Sequence, residues 1–319
     1  MYAAVVRAFD QPPRYETFDL PGPTSNEQTT VRVLAAGLHP RVRSGASGAH
    51  YSSDAVLPLI PGIDGVGETP DGELVYFVLL DATLGSMAER AVVERRRTVP
   101  LPADADAVRV AAAMNPAMSS WLALRLRARL QPGRSVLVLG ATGNAGRLAV
   151  QIAKRLGAGR VVAAGRDAER LAGLPALGAD ELVSLGGESE AVGRALAAAA
   201  ADVDVVVDYL WGAQTENAIP ALLAARSDRA RALTWVHVGA VAGRTLALDA
   251  TWLRAADLRL LGSGQGSISI PDIAAQLPAL AAEIVAGGLA VEAVERPLRD
   301  VEAVWSEAVG AGRRVVLVP

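Results

Sequence analysis

The run from Ser135 to Leu156 limits most sharply what this chain can fold into. Ser135–Leu139 is a short strand pattern with no polar face, so it needs cover on both sides. Gly140-Ala141-Thr142-Gly143-Asn144-Ala145-Gly146 then turns the chain. Ala145–Leu156 follows with helical periodicity, and Gly157 and Gly159 suit its end. A strand buried on both faces that enters a helix through a glycine turn belongs to a parallel sheet with helices on either side. The alternation continues through strand Arg160–Ala164, helix Asp167–Leu177 with Gly178 after it, and strands Val203–Val207, Leu233–Val238 and Leu258–Leu261. Residues 119–265 are therefore expected to form a doubly wound α/β domain of the Rossmann type.

The glycine turn also carries chemistry. Ala141, Gly143 and Gly146 fall on the three small-residue positions of the dinucleotide fingerprint. The first permits a tight turn, the second lets backbone approach a pyrophosphate, and the third lets helix and strand pack closely. Thr142, Asn144 and Ala145 complete the loop, and the helix that opens there aims its unpaired amides at the phosphates. The second strand ends Val162-Ala163-Ala164-Gly165-Arg166. An NAD-preferring site keeps an acid there for the ribose diol. Gly165 removes that charge, and the planar fork of Arg166 suits a 2′-phosphate. The pair points to NADP(H). The competing reading makes Arg166 a solvated arginine ahead of a helix capped by Asp167.

The flanks read differently. Residues 1 to about 100 carry short strands such as Thr30–Ala36 and Leu74–Leu80, separated by Pro21-Gly22-Pro23, Pro61-Gly62, Pro70-Asp71-Gly72 and Leu84-Gly85-Ser86. That texture predicts an antiparallel or barrel-like β domain. From Asp104 to Leu130 the chain is rich in Ala, Leu, Met and Arg, and Pro116 is expected to split this stretch into two helices. The tail, 266–319, alternates helix, strand, helix and strand, and is expected to pack back on residues 1–118.

Composition bounds the function. At 319 residues the chain is long enough for two cores. A net charge of −3 shows no basic excess for nucleic acid or an anionic membrane, so a small molecule is the expected partner. The chain has no cysteine, which excludes thiolate metal ligands and cysteine nucleophiles. Met1–Asp10 has no apolar core of a signal peptide, and runs such as Ala195–Ala201 are too short to span a bilayer. A soluble cytoplasmic protein is expected.

Further segments carry a family likeness. Pro58-Leu59-Ile60-Pro61-Gly62-Ile63-Asp64-Gly65-Val66-Gly67 resembles a turn-strand signature of the medium-chain dehydrogenase/reductase superfamily, and Gly85-Ser86-Met87-Ala88-Glu89 another of its segments. Asn115-Pro116-Ala117-Met118-Ser119-Ser120-Trp121 is similar to its hinge. Val203–Asp208 and Val238-Gly239-Ala240 resemble its later strand ends beside the cofactor. Within the superfamily the chain most resembles the zinc-free quinone oxidoreductase branch. The resemblance implies a Rossmann domain inserted in a GroES-like β-barrel-type catalytic domain, and a homodimer formed through edge strand Leu233–Val238 or Leu258–Leu261. It implies hydride transfer from NADPH to a quinone, enone or other activated carbonyl compound. Asn115 and Ser119 would then border the nicotinamide end, and 238–240 would lie near the cofactor. Tyr51 would donate a hydrogen bond to the substrate oxygen, the competing reading being a Tyr that closes a loop with its ring packed; His39 and Asp64 are read either as residues near the substrate or as a satisfied loop histidine and a turn-stabilising Asp.

The likeness is incomplete. Where the branch commonly has Asn-Pro-x-Asp, this chain reads His39-Pro40-Arg41-Val42, and Ala46 stands where an arginine is expected. An NADPH-binding protein of the same fold with little catalytic activity is the alternative. A short-chain-type reading of Gly140–Gly146 is disfavoured, because in those proteins the loop opens the domain and here about 135 residues precede it.

Overall fold

The computed structural model describes residues 1–49, 56–79, 83–307 and 312–319. The fold divides into two compact units, one of residues 1–115 with 277–319 and one of residues 116–276.

The first unit opens with β1 (Tyr2–Val5), paired antiparallel to β2 (Arg14–Thr17). Strand β3 (Gln28–Leu38) is its spine, with Val31, Val33, Ala35 and Ala36 all buried. A short helix α1 (Pro40–Ala46) follows, started by Pro40 in its first turn. Strands β4 (Asp64–Glu68), β5 (Leu74–Val78), β6 (Arg90–Glu94) and β7 (Thr98–Pro100) complete the N-terminal part. The register on β3 shifts between Val33 and Ala35. Its early residues pair with β6 and its middle with β4, both antiparallel. Arg32 pairs with both, so β4 and β6 flank β3 on opposite sides, and the bulge lies in its ladder with β4.

Helix α2 (Ala107–Leu122) is continuous. This corrects the expected break at Pro116, which lies inside it. A proline removes one amide and costs a helix about 3 kcal/mol. Burial of Ala111, Ala112, Ala113, Met114 and Ala117 on that helix outweighs the loss.

The second unit alternates as the pattern requires. Strand β8 (Ser135–Leu139) leads to α3 (Asn144–Arg155), and β9 (Arg160–Gly165) to α4 (Ala168–Ala172), capped by Asp167. The helix expected over Asp167–Leu177 is shorter; Pro175–Leu177 forms a separate 3₁₀ turn. Then come β10 (Glu181–Ser184), α5 (Ser189–Ala200), β11 (Val205–Asp208), α6 (Gly212–Ala225), β12 (Leu233–His237), α7 (Ala250–Ala255) and β13 (Leu258–Gly262). The six strands run parallel in the order β10-β9-β8-β11-β12-β13. Chain order reverses between β8 and β11, the switch point where open α/β sheets bind ligands at their carboxyl ends. Leu137, Leu139, Val162, Val206 and Trp235 line the core on one face of the sheet. Strand β12 is paired on both sides, so Leu233–Val238 cannot extend a sheet into another chain; β13 is the edge.

Helix α8 (Ile270–Val285) leads to β14 (Glu292–Pro297), α9 (Val301–Ser306) and β15 (Arg313–Val318). Strand β15 pairs antiparallel with the end of β3 and parallel with β14. Leu298, Val301 and Val304 share a core with Ala3, Leu38 and Ile60. No helix among the described residues is long and apolar enough to cross a membrane.

Candidate functional site

At the carboxyl end of β8 the chain must reverse within a few residues. Gly140 makes that turn at φ +86°, a conformation that side chains resist. The tight-turn role read onto Ala141 therefore belongs to Gly140. Ala141 is buried, and its amide donates to the Ala164 carbonyl at 2.9 Å, as does that of Gly140. Gly146 answers a packing need. A Cβ built on it would lie 2.2 Å from the Gly140 carbonyl oxygen.

Gly143 is a different case. It caps α3 with ordinary extended angles, φ −77° and ψ 165°. A Cβ there would meet nothing nearer than the Gly140 carbonyl at 3.5 Å. Neither conformation nor packing within the chain asks for glycine, and the residue is exposed. What glycine leaves is open backbone at the start of a twelve-residue helix whose cap has no side-chain hydrogen bond. The first-turn amides of a helix have no carbonyl of their own helix to pair with. Such an end attracts a phosphate.

The end of β9 lies against this loop. A Cβ on Gly165 would fall 2.4 Å from Thr142 Cγ2, so no acid fits there with Thr142 in place. Arg166 is exposed and forms no salt bridge with a described residue. Asp167 accepts from the Arg170 amide as the cap of α4, and Arg170 Nη1 donates to the Thr142 carbonyl at 3.1 Å. Arg170 thus braces the glycine turn, a role its sequence position does not reveal.

At the end of β11, the buried carboxylate of Asp208 organises the next loop. Oδ1 accepts from the amides of Leu210 and Trp211 at 2.8 and 3.1 Å. Oδ2 accepts from the Thr215 hydroxyl at 2.6 Å and from Trp235 Nε1 at 2.9 Å. The amides of Val238 and Gly239 donate to the Asp208 carbonyl, which brings 238–240 beside this loop. Trp211 sits at φ +58°, costly for a side chain this large, and meets His237 edge-on with ring centres 4.5 Å apart. His237 Nε2 is buried with no hydrogen-bond partner among the described residues; burial lowers the pKa of this histidine, opposed by the charge of Asp208. Ser119 shares a 2.9 Å hydrogen bond with the Tyr209 hydroxyl and donates to the Pro116 carbonyl. Burial pushes the Tyr209 pKa up to about 12, so the phenol stays protonated.

In the first unit, Asn115 is half-buried on α2. His39 and Asp64, read above as residues near the substrate, form a buried pair, Nε2 to Oδ1 at 3.2 Å. Tyr76 donates to Asp64 Oδ2 at 2.9 Å, and the Ser86 hydroxyl to the Asp64 carbonyl at 2.6 Å. Neither Tyr76 nor Ser86 is legible in the sequence as a partner of Asp64, since side-chain direction on different strands sets the contact. Tyr51 lies outside the described residues.

Burial lowers the pKa of His39, while the hydrogen bond and charge of Asp64 pull it up and Arg314 and Arg41 push it down. Folded His39 is therefore neutral where the unfolded chain begins to take up a proton. Stability should fall as pH drops below about 6.5, by up to about 1.4 kcal/mol per pH unit for each such histidine, and His237 adds with the same sign. Urea midpoints between pH 7.5 and 5.5 measure this slope, and His39→Gln should flatten it. An unchanged slope in that variant would remove His39 from the account.

Residues 145–279 match the zinc-binding dehydrogenase family. The chain is 32% identical, over 100% of both lengths, to the Emericella nidulans protein named "Probable NADPH-dependent quinone reductase tdiC". A quinone oxidoreductase of Rattus norvegicus is 34% identical across 43% of this chain and 44% of its own. Among solved structures, the quinone oxidoreductase of Thermus thermophilus, also solved with NADPH, superposes with a TM-score of 0.81 over 100% of both chains at 26% identity.

Proposed function

Because the chain belongs to the medium-chain dehydrogenase/reductase superfamily, in its quinone oxidoreductase-like branch, we propose that this oxidoreductase moves hydride from NADPH to a quinone, enone or other activated carbonyl compound, without zinc. The observation that carries the reading is the open backbone at Gly143 beside an acid-free β9 end. Both fit a 2′-phosphorylated dinucleotide: Gly143, Asn144 and Ala145 would hold the pyrophosphate and Arg166 the 2′-phosphate, while 238–240 and Ser119 would border the nicotinamide. When bound, the dinucleotide supplies the hydride. The chain's own residues orient it and keep water out. Tyr51 is the proposed hydroxyl donor to the substrate oxygen.

Zinc independence is supported by the absence of cysteine and by the prior engagement of His39 and Asp64 with each other and with Tyr76. Strand β13, at the edge of its sheet, is the proposed seam of a homodimer, which light scattering of the eluted protein would test.

NADPH oxidation across a panel of quinones and enones, after dialysis against a chelator, tests the reading. Turnover that survives chelation supports it. Tight NADPH binding with no turnover on any acceptor would favour a binding protein of the same fold. Arg166→Ala is expected to raise the NADPH dissociation constant roughly 10- to 100-fold and to leave NADH nearly untouched, since one charge-assisted hydrogen bond contributes about 1.5–3 kcal/mol. Equal losses for the two dinucleotides would cancel the 2′-phosphate assignment.

A further inference from the structure

The second unit holds another concavity, of about 1030 Å³, to which the glycine turn, residues 165–166 and residues 238–240 contribute nothing. Arg125, Arg127, Arg129 and Arg155 line it, against one carboxylate, Asp272. Leu126, Leu130 and Ile268 add apolar wall.

The backbone that presents these arginines is irregular in two places. Residues two apart on an α-helix point about 200° away from each other, so Arg125 and Arg127 should face opposite ways. Here α2 runs into a π-helical turn over Ala123–Arg127, closed by the Ala128 amide on the Ala123 carbonyl at 2.8 Å. A π turn still sets residues two apart on opposite sides, and the arginines reach one groove from different directions, Arg127 toward the Gly262 and Ser267 carbonyls and Arg125 over the Trp121 ring. Isolated π turns of this kind recur at functional sites. Arg129 then adopts φ +50° just past the helix end, and the Leu130 amide returns to the Leu124 carbonyl at 2.8 Å. Glycine is the ordinary residue for this left-handed position, so an arginine there spends stability.

The arginines differ in their engagement. Arg127 donates to the Gly262 and Ser267 carbonyls and so builds the opposite wall. Arg125 lies 5.0 Å over the Trp121 ring, which steadies it without neutralising it. Asp272 accepts from the Ser269 hydroxyl at 2.6 Å. Arg125 and Arg129 are exposed and make no salt bridge with a described residue. A helix end tolerates basic residues through its dipole, which accounts for a cation in the last turn and not for one held at a strained position beyond it.

We propose that this groove is a second anion site, built for a phosphorylated small molecule with an apolar or aromatic body, such as a nucleoside diphosphate. Arg125 and Arg129 grip the phosphates through bidentate guanidinium contacts, and the Leu126, Leu130 and Ile268 wall takes the body.

The test is calorimetric titration of ADP into the full chain saturated with NADPH, which keeps the glycine turn occupied. Arg129→Gly relieves the left-handed strain, so it should raise Tm while weakening ADP binding about tenfold or more. Arg125→Gln should weaken it comparably, and NADPH affinity should stay unchanged in both. Stability and binding moving in opposite directions in Arg129→Gly is a result that a purely structural arginine would not produce. Absence of ADP binding, or binding that both variants leave intact, overturns the proposal. Tripolyphosphate matching ADP would overturn the role of the apolar wall.

Discussion

Gly143→Val is expected to abolish NADPH binding and leave the fold in place. The native backbone at 143 is one that valine adopts freely, and its Cβ would have only the Gly140 carbonyl at 3.5 Å for company. The cost to the fold is that of a poor helix cap, about 1 kcal/mol, which moves Tm by a few degrees. The cost to binding is steric, because the branched side chain occupies the space through which a pyrophosphate reaches the amides of α3. Gly146→Ala is the contrasting control. Its Cβ would press to 2.2 Å on the Gly140 carbonyl and 2.7 Å on the Ala141 Cα, so it should fail by loss of folded protein. Calorimetry with NADPH beside a thermal melt separates the two. Normal NADPH affinity in a folded Gly143→Val protein would remove the glycine turn from the cofactor site.

Asp208→Ala should destabilise the second unit by roughly 3–5 kcal/mol, on the order of 10 °C in Tm. The carboxylate is buried and receives four donors, two of them the amides that fix the loop into α6. Truncation leaves the Trp235 indole N–H and the Thr215 hydroxyl without their acceptor inside the core. It also frees Trp211 from the bond that helps hold it at φ +58°, so the Trp211–His237 contact should loosen and NADPH affinity fall with stability. Urea melts and tryptophan fluorescence read both effects. A loss below about 1 kcal/mol would mean that water replaces the carboxylate and that the loop stands without it.

Much of the site can be read from residue order because its chemistry is local. A strand without a polar face, a glycine turn and a helix start lie within twelve residues, and the β9 end that carries Gly165 and Arg166 follows within twenty more. Residue order misleads where a neighbour in space decides. Strand β10 escapes a sequence reading because Glu181, Leu182 and Ser184 on it are exposed and only Val183 is buried, so it shows no apolar run. Pro116 reads as a break in a helix that packing keeps whole. Ala141 reads as the turn residue because small size is visible in the sequence, whereas the left-handed φ that makes the turn belongs to Gly140.

The amino-acid order alone therefore determined the fold class and the strand, glycine turn and helix start on which the proposed nucleotide site is built, all of which rest on contacts between near neighbours along the chain. Tertiary structure decided that His39, Asp64, Tyr76 and Ser86 meet, that Asp208 governs the loop through Trp211, and that alternate arginines beyond α2 share one groove. Those groupings join residues on separate strands or around one irregular helical turn. Period and composition carry no record of which side chains such geometry will point at one another.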